Sequence, residues 1–148
     1  MTDQEAMQLA IAEAHASEAE GEVPVGAVVL LEGEVIGRGN NRVIRDNDPT
    51  AHAEIVAMRD AAQTLRNYRL NNCTLVVTLE PCAMCAGAIL HARVKHLIYA
   101  ATDPKAGACG SVLEVMNHPH LNHRVEVTAG ILAEECGSLL TNFFRARR

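Results

Sequence analysis

Leu75-Val76-Val77-Thr78-Leu79-Glu80-Pro81-Cys82-Ala83-Met84-Cys85 runs from an apolar segment straight into a pair of cysteines three positions apart. The stretch from Leu75 to Leu79, β-branched and apolar, reads as a buried strand. Pro81 has no amide hydrogen to leave unpaired and suits a helix start, so a helix is expected from there through Leu90. Cys82 and Cys85 fall in its opening turn, where their spacing projects both sulfurs from one face. A strand that hands two thiols to the start of a helix implies an α/β frame with its chemistry at strand-to-helix junctions.

The flanking sequence extends that frame. Upstream, Thr2 and Glu5 form a candidate capping box, and Met7, Ala10, Ile11 and Ala14 recur at helical spacing. Val25 to Leu31 reads as a strand, Glu32-Gly33 as a turn and Glu34 to Gly37 as its hairpin partner. A polar segment, Asn40 to Asp48, follows. Pro49 is then expected in the first turn of a helix whose core face holds Ile55, Met58, Ala62 and Leu65, with His52 and Glu54 near its amino end. Downstream, Val94 to Tyr99 reads as a strand and Gly107 to Gly110 as loop. Ser111 is expected to cap a short helix before the polar stretch from Asn117 to Asn122. A last strand, Val125 to Thr128, leads to a helix whose stripe is Leu132, Cys136, Leu139, Leu140 and Phe143. This order predicts a mixed sheet covered on both faces.

With 148 residues, 49% of them hydrophobic, and no repeat or linker, residues 1–148 are expected to form one domain. The amino-terminal residues lack the basic and apolar segments of an export signal, and no apolar run is long enough to span a bilayer. A cytoplasmic protein without a membrane segment is the expectation. Five cysteines, an odd number, make a disulfide framework a poor fit and favour metal or core roles. The net charge of −5 weighs against indiscriminate nucleic-acid binding. Phe143-Phe144-Arg145-Ala146-Arg147-Arg148 nevertheless offers a local patch of rings and guanidinium groups; the same residues also read as an apolar helix face followed by cations favouring the helix end.

A second motif, His52-Ala53-Glu54, changes the meaning of the cysteine pair. Alone, the two cysteines fit zinc, redox chemistry or a core contact. His52 adds a third donor, and a helix amino end stabilises the thiolate form that binds zinc. Three protein ligands leave a fourth position to water, as in catalytic zinc sites, and Glu54 is an unligated carboxylate beside the first donor. Zinc brings the deprotonation of water from about 16 towards about 7 on the pKa scale, and Glu54 is the candidate for handling the proton. A structural zinc module is the competing reading.

The pairing of H-x-E with P-C-x-x-C is the signature of the zinc deaminases, and the chain resembles the cytidine-deaminase-like superfamily. Over nearly its whole length it is similar to the bacterial tRNA adenosine deaminases. The matching segments are Glu22-Val23-Pro24-Val25-Gly26-Ala27, Asn41, Pro49 to Glu54, Asn67-Tyr68-Arg69-Leu70 and Thr78 to Ala88. Asp103, Lys105, Gly107, Asn122-His123-Arg124 and Phe143-Phe144-Arg145 complete the match. The resemblance implies a three-layer α/β/α sandwich with a mixed central sheet, a homodimer, and one Zn²⁺ per chain held by His52, Cys82 and Cys85. It implies hydrolytic deamination of the wobble adenosine to inosine in the anticodon loop of an arginine tRNA, with Glu54 catalytic and no organic cofactor. Asn41 is then expected to touch the target nucleoside, and Asp103, Lys105, Phe143, Arg145 and Arg148 to approach the anticodon loop. Deamination of a free base or nucleoside, of guanine or cytosine type, is the alternative for the same centre.

Overall fold

The computed structural model of the protein describes residues 1–147. Helix α1 (Asp3–Ala19) begins where the sequence places it, with the Thr2 hydroxyl accepting from the Glu5 amide at 3.1 Å. Strands β1 (Gly26–Leu31) and β2 (Glu34–Asn40) form a hairpin. Its two turn residues, Glu32 and Gly33, have φ of 52° and 80°, the left-handed pair whose twist matches that of the strands. Then come α2 (Ala53–Leu65), β3 (Thr74–Leu79), α3 (Ala83–His91), β4 (His96–Ala101), β5 (Glu126–Ala129) and α4 (Ala133–Arg145).

The five strands pair in the order β2-β1-β3-β4-β5. β1 runs antiparallel to both β2 and β3, whereas β3, β4 and β5 are parallel. Alternation along the strands divides the core in two. Ala27, Val29, Leu75, Val77, Leu97 and Tyr99 meet Ala53, Ala57 and Met58 of α2 and Ala86 and Ile89 of α3. Val28, Val76, Ile98 and Ala100 face the other way, onto Met7, Ala10 and Ile11 of α1 and Cys136 of α4. The result is the expected three-layer α/β/α sandwich with a mixed sheet.

Three local readings are corrected. β2 continues to Asn40 instead of stopping at Gly37, because its glycines are there for packing: a Cβ on Gly39 would overlap the backbone of Ala53 and Ala57 in α2. Pro49 does not open α2. Asp48 Oδ1 accepts from the amide and hydroxyl of Thr50 at 2.8 and 2.7 Å, so the segment closes into a side-chain turn and the helix starts after His52. Ser111 caps no helix; its hydroxyl donates to the Glu80 carboxylate, and the chain from 107 to 116 forms turns and a Cys109–Glu114 bridge.

The strand directions set the site. β2 is antiparallel to β1 and β1 to β3, so the carboxyl ends of β2, β3 and β4 share one edge of the sheet. The amino ends of α2 and α3 lie at that edge too, since each helix follows it in the chain, the arrangement in which open α/β sheets bind ligands.

Candidate active site

His52 is the N-cap of α2 and Cys82 the N-cap of α3, both extended, and Cys85 lies in the first turn of α3. Neither side chain makes the usual capping hydrogen bond, and imidazole and thiol turn towards each other. His52 Nδ1 stands 3.6 Å from Cys82 Sγ and 3.5 Å from Cys85 Sγ, and the three donor atoms lie within 4.8 Å of one another. With metal–sulfur bonds of about 2.3 Å and metal–nitrogen bonds of about 2.0 Å, a tetrahedral ion holds nitrogen and sulfur about 3.5 Å apart. The donors therefore fit a tetrahedral metal ion, and the group can hold one.

Electrostatics point the same way. Hydrogen bonds with Cys85 and His52 outweigh burial and hold the Cys82 thiol down to about 3. The same bond to Cys82, with burial, pushes Cys85 up, and the Cys82 partner raises His52. Two helix amino ends add positive potential where the thiolates gather. Glu54, in the first turn of α2, is 4% exposed, and burial pushes its carboxyl up to about 7.

Glu54, His52 and Cys82 line a cavity of about 210 Å³ together with Asn41, Glu80 and Asp103. Val23, Leu79 and Asp103 also belong to a second cavity of about 620 Å³, so the two share a wall. Lys105, Phe144 and Arg145 line this larger cleft between the β4 end and α4. A small pocket beside the donors, walled by apolar side chains with a few polar groups, thus adjoins a wider groove bearing a ring and two cations.

The remaining residues singled out from sequence fall in different places. Asn41 is buried on the smaller cavity; its Oδ1 accepts from the Val43 amide at 3.2 Å and its Nδ2 donates to the Val23 carbonyl at 3.4 Å. Asp103 and Lys105 border the cleft, with Asp103 Oδ1 accepting from the Lys105 amide at 3.0 Å. Phe143 lies further in. It is buried in the core, and the Arg147 guanidinium sits 3.5 Å above its ring. The helical turn gives the cleft to its neighbour Phe144, which is 48% exposed. Arg148 lies outside the described residues.

Two buried carboxylates were not singled out from sequence. Glu22, wholly buried, accepts from the Ile44 and Arg45 amides at 3.2 and 2.9 Å and from the Arg45 guanidinium at 3.2 Å. Arg45 reaches on to the Asn40 side chain and the Asn41 carbonyl, so Glu22 secures the segment that presents Asn41. Glu80 does the same for the loop after β4, accepting from the amides of Asp103, Cys109 and Ser111. The available signal was a charge set between apolar neighbours, as in Leu79-Glu80-Pro81, which is tolerated inside only when fully paired.

A three-layer sandwich with a histidine and two cysteines at its strand ends, and a buried glutamate beside them, defines the cytidine-deaminase-like class of enzymes. The family model for MafB19-like deaminases matches residues 1–148. The tRNA-specific adenosine deaminase of Haemophilus influenzae is 52% identical over 99% of this chain and 85% of its own length. That of Bacillus subtilis is 44% identical over 96% of this chain and 88% of its own. Among solved structures, one from studies of A-to-I editing by tRNA:A34 deaminases superposes with a TM-score of 0.89 at 44% identity, covering 92% of this chain and 99% of the other. Guanine deaminase from Nitrosomonas europaea superposes at 0.79 with 28% identity, over 95% and 83%. The chain belongs to the tRNA-specific adenosine deaminase family, within the MafB19-like deaminases.

Proposed function

We propose that this enzyme converts the wobble adenosine of an arginine tRNA to inosine by hydrolysis, releasing ammonia. The observation that carries the reading is the pocket of about 210 Å³ in which Glu54 stands beside the His52, Cys82 and Cys85 donors. His52, Cys82 and Cys85 hold one Zn²⁺ per chain. When bound, the ion supplies Lewis acidity that brings water deprotonation into the neutral range.

Glu54 moves the protons. Buried beside the three donors and lining the same pocket, its carboxyl is placed to accept and return a proton. It takes one from the attacking water and delivers it to the purine ring as the carbon–oxygen bond forms; it then takes the proton of the new hydroxyl and passes it to the amino nitrogen as the carbon–nitrogen bond breaks. Water adds and ammonia leaves, so no oxidant or organic cofactor enters the balance.

Asn41 and Asp103 contact the target nucleoside in the small pocket. Lys105, Phe144 and Arg145 take flanking nucleotides in the wider cleft, where rings stack on bases and cations meet phosphate. A base must leave its stack to reach so confined a site, which favours an anticodon loop over a duplex. We read residues 1–148 as one catalytic domain, working as a cytoplasmic homodimer. Sedimentation at micromolar concentration is expected to give a species near twice the 15.9 kDa chain mass, and a lone monomer would count against the dimer.

Ammonia release from an arginine tRNA, free adenosine, guanine and cytosine, measured side by side, tests the substrate. Inosine formation in the tRNA with little turnover of free bases is expected. The guanine-type alternative has a physical basis in the 0.79 superposition on a guanine deaminase. Efficient guanine turnover with untouched tRNA would put that alternative in its place.

A further inference from the structure

Glu80 is 2% exposed and sits between the last residue of β3 and the Pro81-Cys82 turn. Its carboxylate receives the amides of Asp103 at 3.0 Å, Cys109 at 2.9 Å and Ser111 at 3.2 Å, as well as the Ser111 hydroxyl. Four donors from one loop converge on one side chain, and among the described residues none comes from elsewhere. The loop is tied to the same turn again: the Ala108 amide donates to the Pro81 carbonyl at 2.9 Å, and Gly107 bridges Cys82. Gly107 must be glycine for this contact, because a Cβ there would overlap the carboxylate.

A hydrophobic residue would fill this buried position more cheaply, since an ionised carboxylate inside a protein is costly unless its acceptor sites are met. Here they are met by the loop that carries Asp103 and Lys105 to the pocket and cleft. Glu80 stands two residues before the metal donor Cys82, and the path from its side chain to Asp103 is one hydrogen bond.

We propose that Glu80 is a positioning residue for the deamination, locking the 103–111 loop in register with the Cys82 turn so that the pocket wall formed by Asp103 stands at a set distance from the reacting centre. Although Glu80 lines the pocket, its carboxylate oxygens are taken up by the Asp103, Cys109 and Ser111 amides and the Ser111 hydroxyl, so it acts through the loop. This rests on the reading of the pocket as the site of the target base.

Glu80→Gln keeps the size but turns an amide donor towards the loop N–H groups, and Ser111→Ala removes one donor from an exposed residue and leaves the fold intact. Each bond to a charged acceptor contributes about a tenfold factor or more in an equilibrium. KM for an anticodon stem-loop is therefore expected to rise about tenfold or more in Glu80→Gln, and by less in Ser111→Ala. Zinc content should stay near wild type in both variants, because His52, Cys82 and Cys85 are untouched, and in Ser111→Ala, whose residue lies outside the pocket, kcat should change less than KM. Hydrogen exchange should quicken at Asp103, Cys109 and Ser111 while β3 and β4 keep their protection, a pattern that loss of general stability would not produce.

Inosine formation by the wild type judges the substrate reading; if it turns over another base instead, the KM comparison is made on that base. Exchange judges the clamp whatever the substrate. Unchanged loop exchange in Ser111→Ala and Glu80→Gln overturns the proposal, as does faster exchange with unchanged KM. If Glu80→Gln does not fold, Ser111→Ala decides by the same two measurements.

Discussion

His52 Nδ1 lies 3.6 Å from Cys82 Sγ although the two residues are 30 positions apart in the chain. Each caps a different helix, and β3 between them brings the second helix start back to the first. The contact thus depends on the order of elements along one sheet edge, and it defines what can be measured at the site.

Metal content is the most direct measurement. Protein purified without added metal is expected to carry about one zinc per chain by elemental analysis, since two thiolates and an imidazole make a high-affinity set. Replacing both Cys82 and Cys85 with Ala should bring the content close to zero. Undiminished zinc in that variant would remove the assignment.

Glu54→Gln should fold and retain zinc but lose at least about a hundredfold in kcat, because an amide of the same shape cannot carry a proton. Single-turnover inosine formation with metal analysis on the same sample checks both halves. Near-normal turnover would exclude Glu54 as the proton carrier.

Arg145 and Arg147 should separate in their effects. Arg145 lines the cleft, so Arg145→Ala is expected to weaken tRNA binding and lower the slope of log affinity against log salt by about 0.7 to 1, the share of one phosphate contact. Arg147 covers the Phe143 ring, and Arg147→Ala should cost about 0.5–1 kcal/mol of stability instead. Binding at several salt concentrations and thermal melts tell the two apart. An unchanged slope in Arg145→Ala would take it off the phosphate path.

Acid stability should depend on Glu22. Burial pushes its carboxyl up, but the Arg45 and Ile44 amides and the Arg45 guanidinium outweigh it and hold it below the ordinary 4.5. A carboxyl lowered in the folded state adds stability above its unfolded pKa and loses it as pH falls through the folded value. Wild type should accordingly be the more stable at pH 7, by about 2 kcal/mol, and should lose that lead over Glu22→Gln below about pH 4.5. Melting curves at neutral and acid pH would refute this if the two proteins ran parallel.

Much of this architecture was legible without coordinates because its signals are local. The strand from Leu75, the stripe from Leu132 to Phe143 and the Glu32-Gly33 turn each follow from side-chain period or turn chemistry within a few residues. What the sequence left open or misled on, at Pro49 and Ser111, also had local causes. Pro49 favours a helix start, yet the Asp48 side chain captures Thr50 first. Ser111 favours a cap, yet a carboxylate 31 positions earlier takes its hydroxyl. Phe143 and Phe144 are chemically alike, and only the helix's rotation against the sheet assigned one to the core and the other to the cleft.

By itself the sequence determined the elements, the layer order they imply and the presence of three soft donors with a carboxylate beside one of them, since residue type and short spacing decide these. Only the tertiary structure decided that the donors meet within 4.8 Å, that Glu54 is buried enough to titrate near 7, and that Glu22 and Glu80 secure the two sides of the pocket. Those properties depend on distance and on exclusion of water between residues far apart in the chain. Neither exists until the strands have paired and the helices have closed over them.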